Sequence, residues 1–416
     1  MRLDPRNGGV VLVSTNAAGD QANSGSFDPV ISDNHRVVAF VSFASNLVPD
    51  DPDGGTNVFA KNLWTGEVVL VSASAGGEKG NAASLGPSIS ANGRHVAFSS
   101  DASNLVPGDA NGTRDIFVKD LWTGEVALAS ADAAGNGGNG FSFVASISDN
   151  GRHVAFGSDA SNLVPGDANG NADVFVKDLR TGEVALASTD ASGNQGDSFS
   201  GSPSISANGR HVAFQSLASN LVPGDTNANI DVFVKDLRTG GIVLASSDAA
   251  GNEGDDSSLA PAVSGNGRYV AFSSFASNLA PGDANGSADV FVKDLWTGEV
   301  ILASADAAGA QGNGSGFSPA ISDNGRYVAF ESQASNLAPG DTNNEIDIFL
   351  KDLRTGALTL VSADPEGNEG NLNSAGVDVT DAGAVVFGSR ASNLVPGDAN
   401  EAFDIFLRPA EPYPWA

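Results

Sequence analysis

Hydrophobic residues occur in short runs along the chain, separated by polar stretches. In one middle stretch the runs are SPSIS (202–206), HVAFQS (211–216), DVFVKDL (231–237) and IVLAS (242–246). They are rich in β-branched and aromatic residues and are bounded by Gly, Asn, Asp and Pro, a pattern that predicts β-strands. No stretch shows a sustained helical period. The pattern therefore predicts an all-β chain.

The four runs return at a fixed interval. The Asn of an ASNL motif stands at 46, 104, 162, 220, 278, 336 and 393, so the period is 58 residues with one step of 57. A period of this size indicates supersecondary units that are stacked or arrayed around an axis. We name the strands of one unit a to d. The a–b and c–d links are short turns, and Asn-Gly in the former is a hairpin signal, whereas the b–c and d–a links are long loops.

Four-stranded antiparallel units arrayed around an axis form a β-propeller, in which each blade is covered by its neighbours. We therefore expect strands b, c and d to be covered on both faces. Strands a, b and c each occur seven times, but the first copy of strand d, VVLVS (10–14), precedes every strand a. The last unit, 374–408, has no strand d of its own. We predict one domain over 1–416, a seven-bladed β-propeller in which strand 10–14 completes the last blade and leaves no open edge.

The repeat SPSISANGRHVAFQS…DVFVKDLRTGG resembles the TolB-type, WD40-like propeller repeat. The resemblance covers essentially the whole chain, seven times. At 58 residues the blade is longer than the roughly 40–45 of tryptophan-aspartate propellers, and the excess lies in the b–c and d–a loops. The resemblance implies an exported binding or docking module, extracellular or periplasmic. Related propellers also occur as appendages of peptidases.

Charge and composition narrow the classes of partner. The net charge of −29 disfavours nucleic acid and anionic membrane surfaces. Zero Cys excludes disulfides and thiol chemistry. No run approaches the roughly 18 apolar residues of a membrane helix, and residues 1–14 lack the pattern of an export signal. We expect a soluble monomer that neither inserts into membranes nor binds nucleic acid.

The b–c loops repeat side-chain oxygens at positions 1, 3 and 7. Calcium takes about 6–8 oxygen ligands, and calcium loops commonly present them at alternating positions. The loops resemble those of integrin-type propellers, although the latter are longer. We predict Ca²⁺ in several loops, and plain Asx turns, which need no metal, are the alternative. The candidate ligands are Asp51, Asp53, Asn57, Asp109, Asn111, Asp115, Asp167, Asn169, Asp173, Asp225, Asn227, Asp231, Asp283, Asn285, Asp289, Asp341, Asn343, Asp347, Asp398, Asn400 and Asp404.

Histidine offers little support for catalysis. His95, His153 and His211 share one repeat position with Tyr269 and Tyr327, which favours packing over a Ser-His-Asp arrangement. Tryptophans at the c–d turns alternate with Arg, which favours turn packing over sugar stacking. We therefore expect a non-enzymatic scaffold that binds Ca²⁺ and a protein or glycan partner. A metal-free recognition scaffold, or a hydrolase or lyase with its site at the central channel mouth, are the alternatives.

Overall fold

The computed structural model describes residues 9–51, 54–109 and 111–410, and its regular elements are β-strands. They form seven antiparallel four-stranded sheets, each in the order a-b-c-d, so the predicted seven-bladed propeller is confirmed. Strand a of blades 1 to 7 is β2 (Ser26–Ile31), β6 (Ser84–Ile89), β10 (Ser142–Ile147), β14 (Ser200–Ile205), β18 (Ser258–Val263), β22 (Gly316–Ile321) and β26 (Ser374–Val379).

Strands b and c follow as hairpin partners in each blade. Strand b is β3 (Val37–Ser42), β7 (His95–Ser100), β11 (His153–Ser158), β15 (His211–Ser216), β19 (Tyr269–Ser274), β23 (Tyr327–Ser332) and β27 (Val385–Ser389). Strand c is β4 (Asn57–Asn62), β8 (Asp115–Asp120), β12 (Asp173–Asp178), β16 (Asp231–Asp236), β20 (Asp289–Asp294), β24 (Asp347–Asp352) and β28 (Asp404–Arg408).

Strand d is the shortest strand and forms the outer edge of each blade. Its copies in blades 1 to 6 are β5 (Val68–Leu70), β9 (Val126–Leu128), β13 (Val184–Leu186), β17 (Ile242–Leu244), β21 (Val300–Leu302) and β25 (Leu358–Leu360). Strands b and c are almost completely buried, but the middle residue of strand d is exposed in five of these six blades. The expectation that strand d is covered on both faces was therefore wrong, because no further strand lies outside it.

The N-terminal strand closes the ring. β1 (Val11–Leu12) pairs with β28 in the sheet order β1-β28-β27-β26, with Val11 opposite Leu407 and Leu12 opposite Phe406. Val13 follows β1 and is fully buried. Strand 10–14 therefore acts as strand d of blade 7, as predicted.

The core lies between blades and repeats with them. In blade 2 the rings of Phe98 and Phe117 stack with centroids 5.9 Å apart. Ile116 and Val118 of the same blade pack in one buried cluster with Phe156 of blade 3. Each blade thus buries apolar side chains against the next one, which is why the repeat needs a ring to fold.

A buried lysine of strand c also ties each blade to the one before it. Lys177 is 6% exposed, and its Nζ donates to the carbonyl oxygens of Ala131 (2.9 Å) and Asp132 (2.8 Å) in the preceding blade. The equivalent residues donate to the same loop in their own neighbours; they are Lys61, Lys119, Lys235, Lys293, Lys351 and Arg408. The Lys of the VFVKD runs is therefore a structural residue.

Candidate metal centres on the loop-rich face

Each b–c loop packs against the d–a loop that follows strand d of the same blade. These long loops form one face of the ring, the loop-rich face, and the a–b and c–d turns form the opposite, turn-rich face. We number the b–c loop from its first Asp (position 1) to the residue that begins strand c (position 7). A backbone bridge fixes one residue of the d–a loop at the same place in every blade, and we call this the d–a position. It is occupied, from blade 1 to blade 7, by Lys79, Gly137, Gln195, Glu253, Gln311, Glu369 and Gln21.

The Asn at position 3 holds the two loops together. In blade 4, Asn227 Nδ2 donates to the carbonyl oxygen of Gly254 (2.8 Å), and its Oδ1 accepts from the backbone N of Asn229 (2.6 Å). Both ends of the amide are thus engaged within the protein, which is Asx-turn chemistry. The same two kinds of bond are made by Asn111, Asn169, Asn285, Asn343 and Asn400.

The Asp at position 7 is anchored by a serine at the end of strand d. Asp231 is fully buried, and its Oδ1 accepts from Ser246 Oγ at 2.6 Å. This leaves Oδ2 as the oxygen that faces position 1 and the d–a position. The other buried aspartates of this kind are Asp115, Asp173, Asp289, Asp347 and Asp404. A buried carboxylate oxygen needs a donor or a cation, and the blades supply it differently.

In three blades the donor is a glutamine amide. Gln195 Nε2 donates to Asp167 Oδ1 (2.8 Å) and to Asp173 Oδ2 (2.7 Å), so one NH₂ group joins the aspartates of positions 1 and 7. The same pair of bonds is made by Gln311 to Asp283 and Asp289, and by Gln21 to Asp398 and Asp404. These loops are closed without any ion.

In blade 1 the d–a position supplies a positive charge. Lys79 Nζ donates to Asp51 Oδ1 and to the carbonyl oxygen of Gly54. Position 7 is here Asn57, whose Nδ2 donates to Asp51 Oδ2 at 3.0 Å. The Asp51 carboxylate is thus matched by the Lys79 ammonium. The predicted ligand Asp53 lies outside the described residues.

In blades 4 and 6 the d–a position supplies a third carboxylate instead. Asp225, Asp231 and Glu253 each place a carboxylate oxygen within 4.8 Å of the others, and Asp341, Asp347 and Glu369 do the same. Asp231 Oδ2 is buried and has no hydrogen-bond partner. In blades 4 and 6 a Glu carboxylate, which donates no hydrogen when ionised, stands at the place that an amide or ammonium fills in blades 1, 3, 5 and 7. The chemistry of this donor set, all hard oxygen, fits a divalent cation such as Ca²⁺.

The pKa values of the position 7 aspartates in blades 3, 4 and 6 are raised by burial and by the like charges near them. Burial, reinforced by Glu253, raises the pKa of Asp231 to about 6. Burial, with Asp341 and Glu369 adding repulsion, raises the pKa of Asp347 to about 7. Burial also raises the pKa of Asp173; hydrogen bonds from a serine and an asparagine oppose the rise at all three aspartates, and at Asp173 the Gln195 amide adds to them. Each of blades 4 and 6 therefore holds three crowded carboxylates, although in blade 6 Asp347 Oδ2 accepts from Asn343 Nδ2 at 3.4 Å.

Blade 2 lacks a side chain at the d–a position. Gly137 stands there, and Asp115 Oδ2 accepts from Asn111 Nδ2 at 2.6 Å. Burial, followed by repulsion from Asp115, raises the pKa of Asp109. This loop thus has two carboxylates and no third group.

The structure brings together the predicted residues of positions 1 and 7 in each loop and assigns the Asn of position 3 to internal hydrogen bonds. The sequence pattern missed Glu253 and Glu369, which come from the variable x of the d–a repeat DAAGNxG. The signal was the alternation of Gln, Glu and Lys at that x. Metal occupancy of the loops stays a prediction.

A second acidic feature lies at the centre of the turn-rich face. The a–b turns meet there around a cavity of about 230 Å³ whose lining includes Asp33, Asp149 and Asp323. Burial and the neighbouring Asp149 raise the pKa of Asp323 to about 8. The turns approach so closely that a Cβ on Gly265 would lie 2.9 Å from the Asp323 Cβ.

His95, His153 and His211 lie apart from this cavity, between blades, whereas His35 lies in an a–b turn, where Asp33 and Asp381 oppose the lowering of its pKa by burial. A Cβ on Gly151 would lie 2.1 Å from Nδ1 of His95, so the imidazole packs directly against the turn of the next blade. The same contact joins His153 to Gly209 and His211 to Gly267.

The tryptophans of the c–d turns lie at the surface of the ring. Trp122 is 73% exposed, and the Arg94 guanidinium lies 4.9 Å above its ring. Arg94 also pairs with Asp120 at 2.6 Å. The rings of Trp64, Trp122 and Trp296 each pack against an Arg of the adjacent a–b turn, in line with the expected turn packing, and remain partly exposed.

Comparison with known proteins shows the fold and not the activity. No family model and no curated protein matches the sequence. Among solved structures, the chain is similar to an oligogalacturonate lyase in complex with manganese, with a TM-score of 0.56 and 12% identity over 96% of this chain and 92% of the lyase. It is similar to an acylaminoacyl peptidase, with a TM-score of 0.53 and 13% identity over 88% of this chain and 49% of the peptidase. TolB from Acinetobacter baumannii aligns with a TM-score of 0.44 and 16% identity, over 79% of this chain and 64% of TolB.

No helix in the described part of the chain is long and apolar enough to cross a membrane. The seven sheets, their order and the closing strand are those that the repeat predicts. The chain is a seven-bladed β-propeller of four-stranded antiparallel blades.

Proposed function

We propose that this protein is a non-enzymatic binding and scaffold propeller whose loop-rich face binds Ca²⁺ in blades 4 and 6. One observation carries the proposal. In blade 4, three carboxylates converge around the buried Asp231 Oδ2, which has no hydrogen-bond partner in the protein. A buried, unpaired carboxylate oxygen is unfavourable, and a divalent cation would satisfy it together with its two neighbours.

The donor set favours a hard cation. Ca²⁺ takes about 6–8 oxygen ligands from carboxylates, carbonyls and water at roughly 2.3–2.6 Å. Asp225, Asp231 and Glu253 would supply the charged ligands of blade 4, and Asp341, Asp347 and Glu369 those of blade 6. A propeller of similar fold has been solved with manganese, so Mn²⁺ and Mg²⁺ are the comparison ions.

The absence of an enzyme activity is part of the proposal. Its support is the placement of three of the four histidines: His95, His153 and His211 pack between different blades, away from the axial cavity, which is lined by aspartates, aliphatic residues, Ser88 and Thr380. The net charge of −29 favours a protein or glycan partner over nucleic acid or an anionic membrane. We further propose a monomer exported to the periplasm or cell exterior, where modules with Kd near 10⁻⁴–10⁻³ M bind calcium.

Isothermal titration of chelator-stripped protein with CaCl₂ tests the proposal. We expect about two Ca²⁺ per chain, one for each three-carboxylate group, with weaker binding of Mg²⁺ because it dehydrates reluctantly. The double variant Glu253→Gln with Glu369→Gln is the control and should bind none. A stoichiometry well below one Ca²⁺ per chain for the unmodified protein would leave the metal-free recognition scaffold as the better account.

A further inference from the structure

The d–a position is structurally equivalent in all blades, although its side chain differs. In blade 3 the bridge joins Thr189 to Gln195, and in blade 4 it joins Ser247 to Glu253. Gln and Glu have the same shape, and their side chains lie in the same orientation. Gln195 Oε1 accepts from the backbone N of Ala168 at 3.3 Å, and the Glu253 carboxylate accepts from the backbone N of Thr226 at 3.1 Å. Only the group that faces the two aspartates changes.

A second residue changes together with the d–a position. Position 2 is Ala in the three Gln blades and Thr in the two Glu blades. The Thr hydroxyl donates to the Glu: Thr226 Oγ1 lies 3.2 Å from Glu253 Oε2, and Thr342 Oγ1 lies 2.8 Å from Glu369 Oε1. The alanines at position 2 of the Gln blades, Ala168, Ala284 and Ala399, have no hydroxyl to donate. Position 6 is Ile in the same two blades, Ile230 and Ile346, and in none of the others. Blades 4 and 6 therefore form a distinct class, with the motif DTNxxID and a Glu at the d–a position.

We propose that the d–a residue decides, blade by blade, whether a loop is closed by an internal group or by an external divalent cation. The inference rests on the proposed function. In blades 3, 5 and 7 the Gln amide donates to the aspartate oxygens, and in blade 1 the Lys79 ammonium does so. In blades 4 and 6 a cation would bind the equivalent oxygens. Blades 4 and 6 therefore need the cation to close their loops, whereas the loops of blades 1, 3, 5 and 7 are closed by a group of the protein itself.

The physical basis is the charge of the group between two carboxylates. An amide NH₂ donates two hydrogen bonds to the aspartates of positions 1 and 7 and adds no charge. A glutamate adds a third negative charge at the same place and offers no hydrogen to share. Without a cation, like charges at this distance repel one another. With a divalent cation, the same three oxygens become ligands.

Two reciprocal variants test the inference by titration with CaCl₂ alone. Glu253→Gln converts blade 4 to the blade 3 type, and the stoichiometry should fall from about two to about one. Gln195→Glu combined with Ala168→Thr converts blade 3 to the blade 4 type, and the stoichiometry should rise to about three. Glu366→Gln, an exposed carboxylate in the d–a loop of blade 6, changes the net charge equally and should leave two sites.

Thermal melts of chelator-stripped protein provide a second readout. Glu253→Gln should melt at a higher temperature than the unmodified protein without calcium, and should gain about half as much on adding it, because bound ligand raises stability by RT ln(1 + [L]/Kd) at each site. If the unmodified protein binds about two Ca²⁺ but the blade 3 double variant also binds two, the inference fails and the proposed function stands. If neither binds Ca²⁺, both fail. A metal-free melt of Glu253→Gln below that of the unmodified protein would also overturn the inference.

Discussion

The same buried aspartate, repeated at position 7 of the b–c loops, has different partners in different blades. In blade 3 its Oδ2 accepts from Gln195 at 2.7 Å, and in blade 4 the equivalent atom of Asp231 has no partner. The repeat conserves the geometry of this aspartate but varies the donor to its Oδ2. The structural role of the aspartate is thus distinct from its proposed binding role. At the scale of single residues, the blades therefore differ in the group that the d–a position places beside this aspartate.

Asp323 at the axial cavity gives a prediction of pH dependence. Its folded-state pKa is raised to about 8 from the ordinary 3.8, chiefly by burial and then by Asp149, with Asp33 and Asp381 adding smaller repulsion. Because the folded state holds the proton more tightly, this contribution to stability is complete below about pH 4 and is lost as the pH rises towards 8. We expect Asp323→Asn to melt above the unmodified protein at pH 8.5, by on the order of a few degrees, and the difference to shrink towards pH 5.

The exposed Asp256 provides the control for this experiment. Asp256→Asn removes an exposed charge far from the axial cavity, and its melting temperature should follow that of the unmodified protein at both pH values. Parallel pH profiles for Asp323→Asn and the unmodified protein would show that Asp323 does not carry this pH dependence.

Residue roles were only partly predictable from sequence. The aspartates of positions 1 and 7 stood out by their spacing. Glu253 and Glu369 did not, because a contact between residues 28 or 22 positions apart depends on how the d–a loop folds back. The role of Asn227 could not be predicted either, because the same sequence pattern occurs whether the Asn amide forms an Asx turn or binds a metal.

At the scale of elements, strand c is the most constrained part of each blade. It is buried on both faces, begins with the Asp of position 7 and contains the lysine that reaches the preceding blade. Burial lowers the pKa of Lys177, and its Nζ is held by two backbone carbonyls. Strand c therefore carries both the Asp of the b–c loop and the lysine that contacts the preceding blade.

We expect Lys177→Met to destabilise the ring while preserving the length of the side chain. The substitution leaves the buried carbonyl of Ala131 without its Lys177 donor, whereas the Asp132 carbonyl keeps Gly135 N at 3.1 Å; a buried polar group that loses its partner costs about 1–3 kcal/mol. Denaturant unfolding measures the loss, and Arg180→Met on the exposed c–d turn is the control. An equal midpoint for the two variants would contradict a role of Lys177 in joining the blades.

Strand boundaries followed from sequence because each run is short, apolar and bounded by turn residues. The prediction placed strand a of blade 4 at 202–206, and it begins at Ser200. The register of this strand shifts between Gly201 and Ser204, where Ser202 has a φ of +49°. A bulge of this kind breaks the alternation on which the sequence pattern relies.

At the scale of the whole molecule, seven copies close only because the first strand completes the last sheet. Val13 N donates to Ile405 O at 2.7 Å, and Gln21 joins the loop of blade 7 through Asp398 and Asp404. The closure thus combines strand pairing with one of the amide-bridged loops. The count of strand d copies was enough to predict it.

Deletion of residues 1–14 should open the ring. The deletion removes β1 and exposes the edge of β28, which carries the buried Ile405 and Phe406; unpaired edges of this kind associate with other chains. We expect a melting temperature lower by on the order of 10 °C, together with aggregation in light scattering. Val11→Thr keeps the strand and serves as control, and an unchanged melting temperature for the deletion would refute the closure.

The central claim is that cations bind in blades 4 and 6 and in no blade closed by an amide. Anomalous diffraction from crystals of the full chain grown with MnCl₂, and again with CaCl₂, tests it most directly. The account predicts two peaks per chain, one beside Asp231 Oδ2 and Glu253 and one beside Asp347 and Glu369. Peaks of equal height in blades 3, 5 and 7, or no peak beside Asp231, would contradict it.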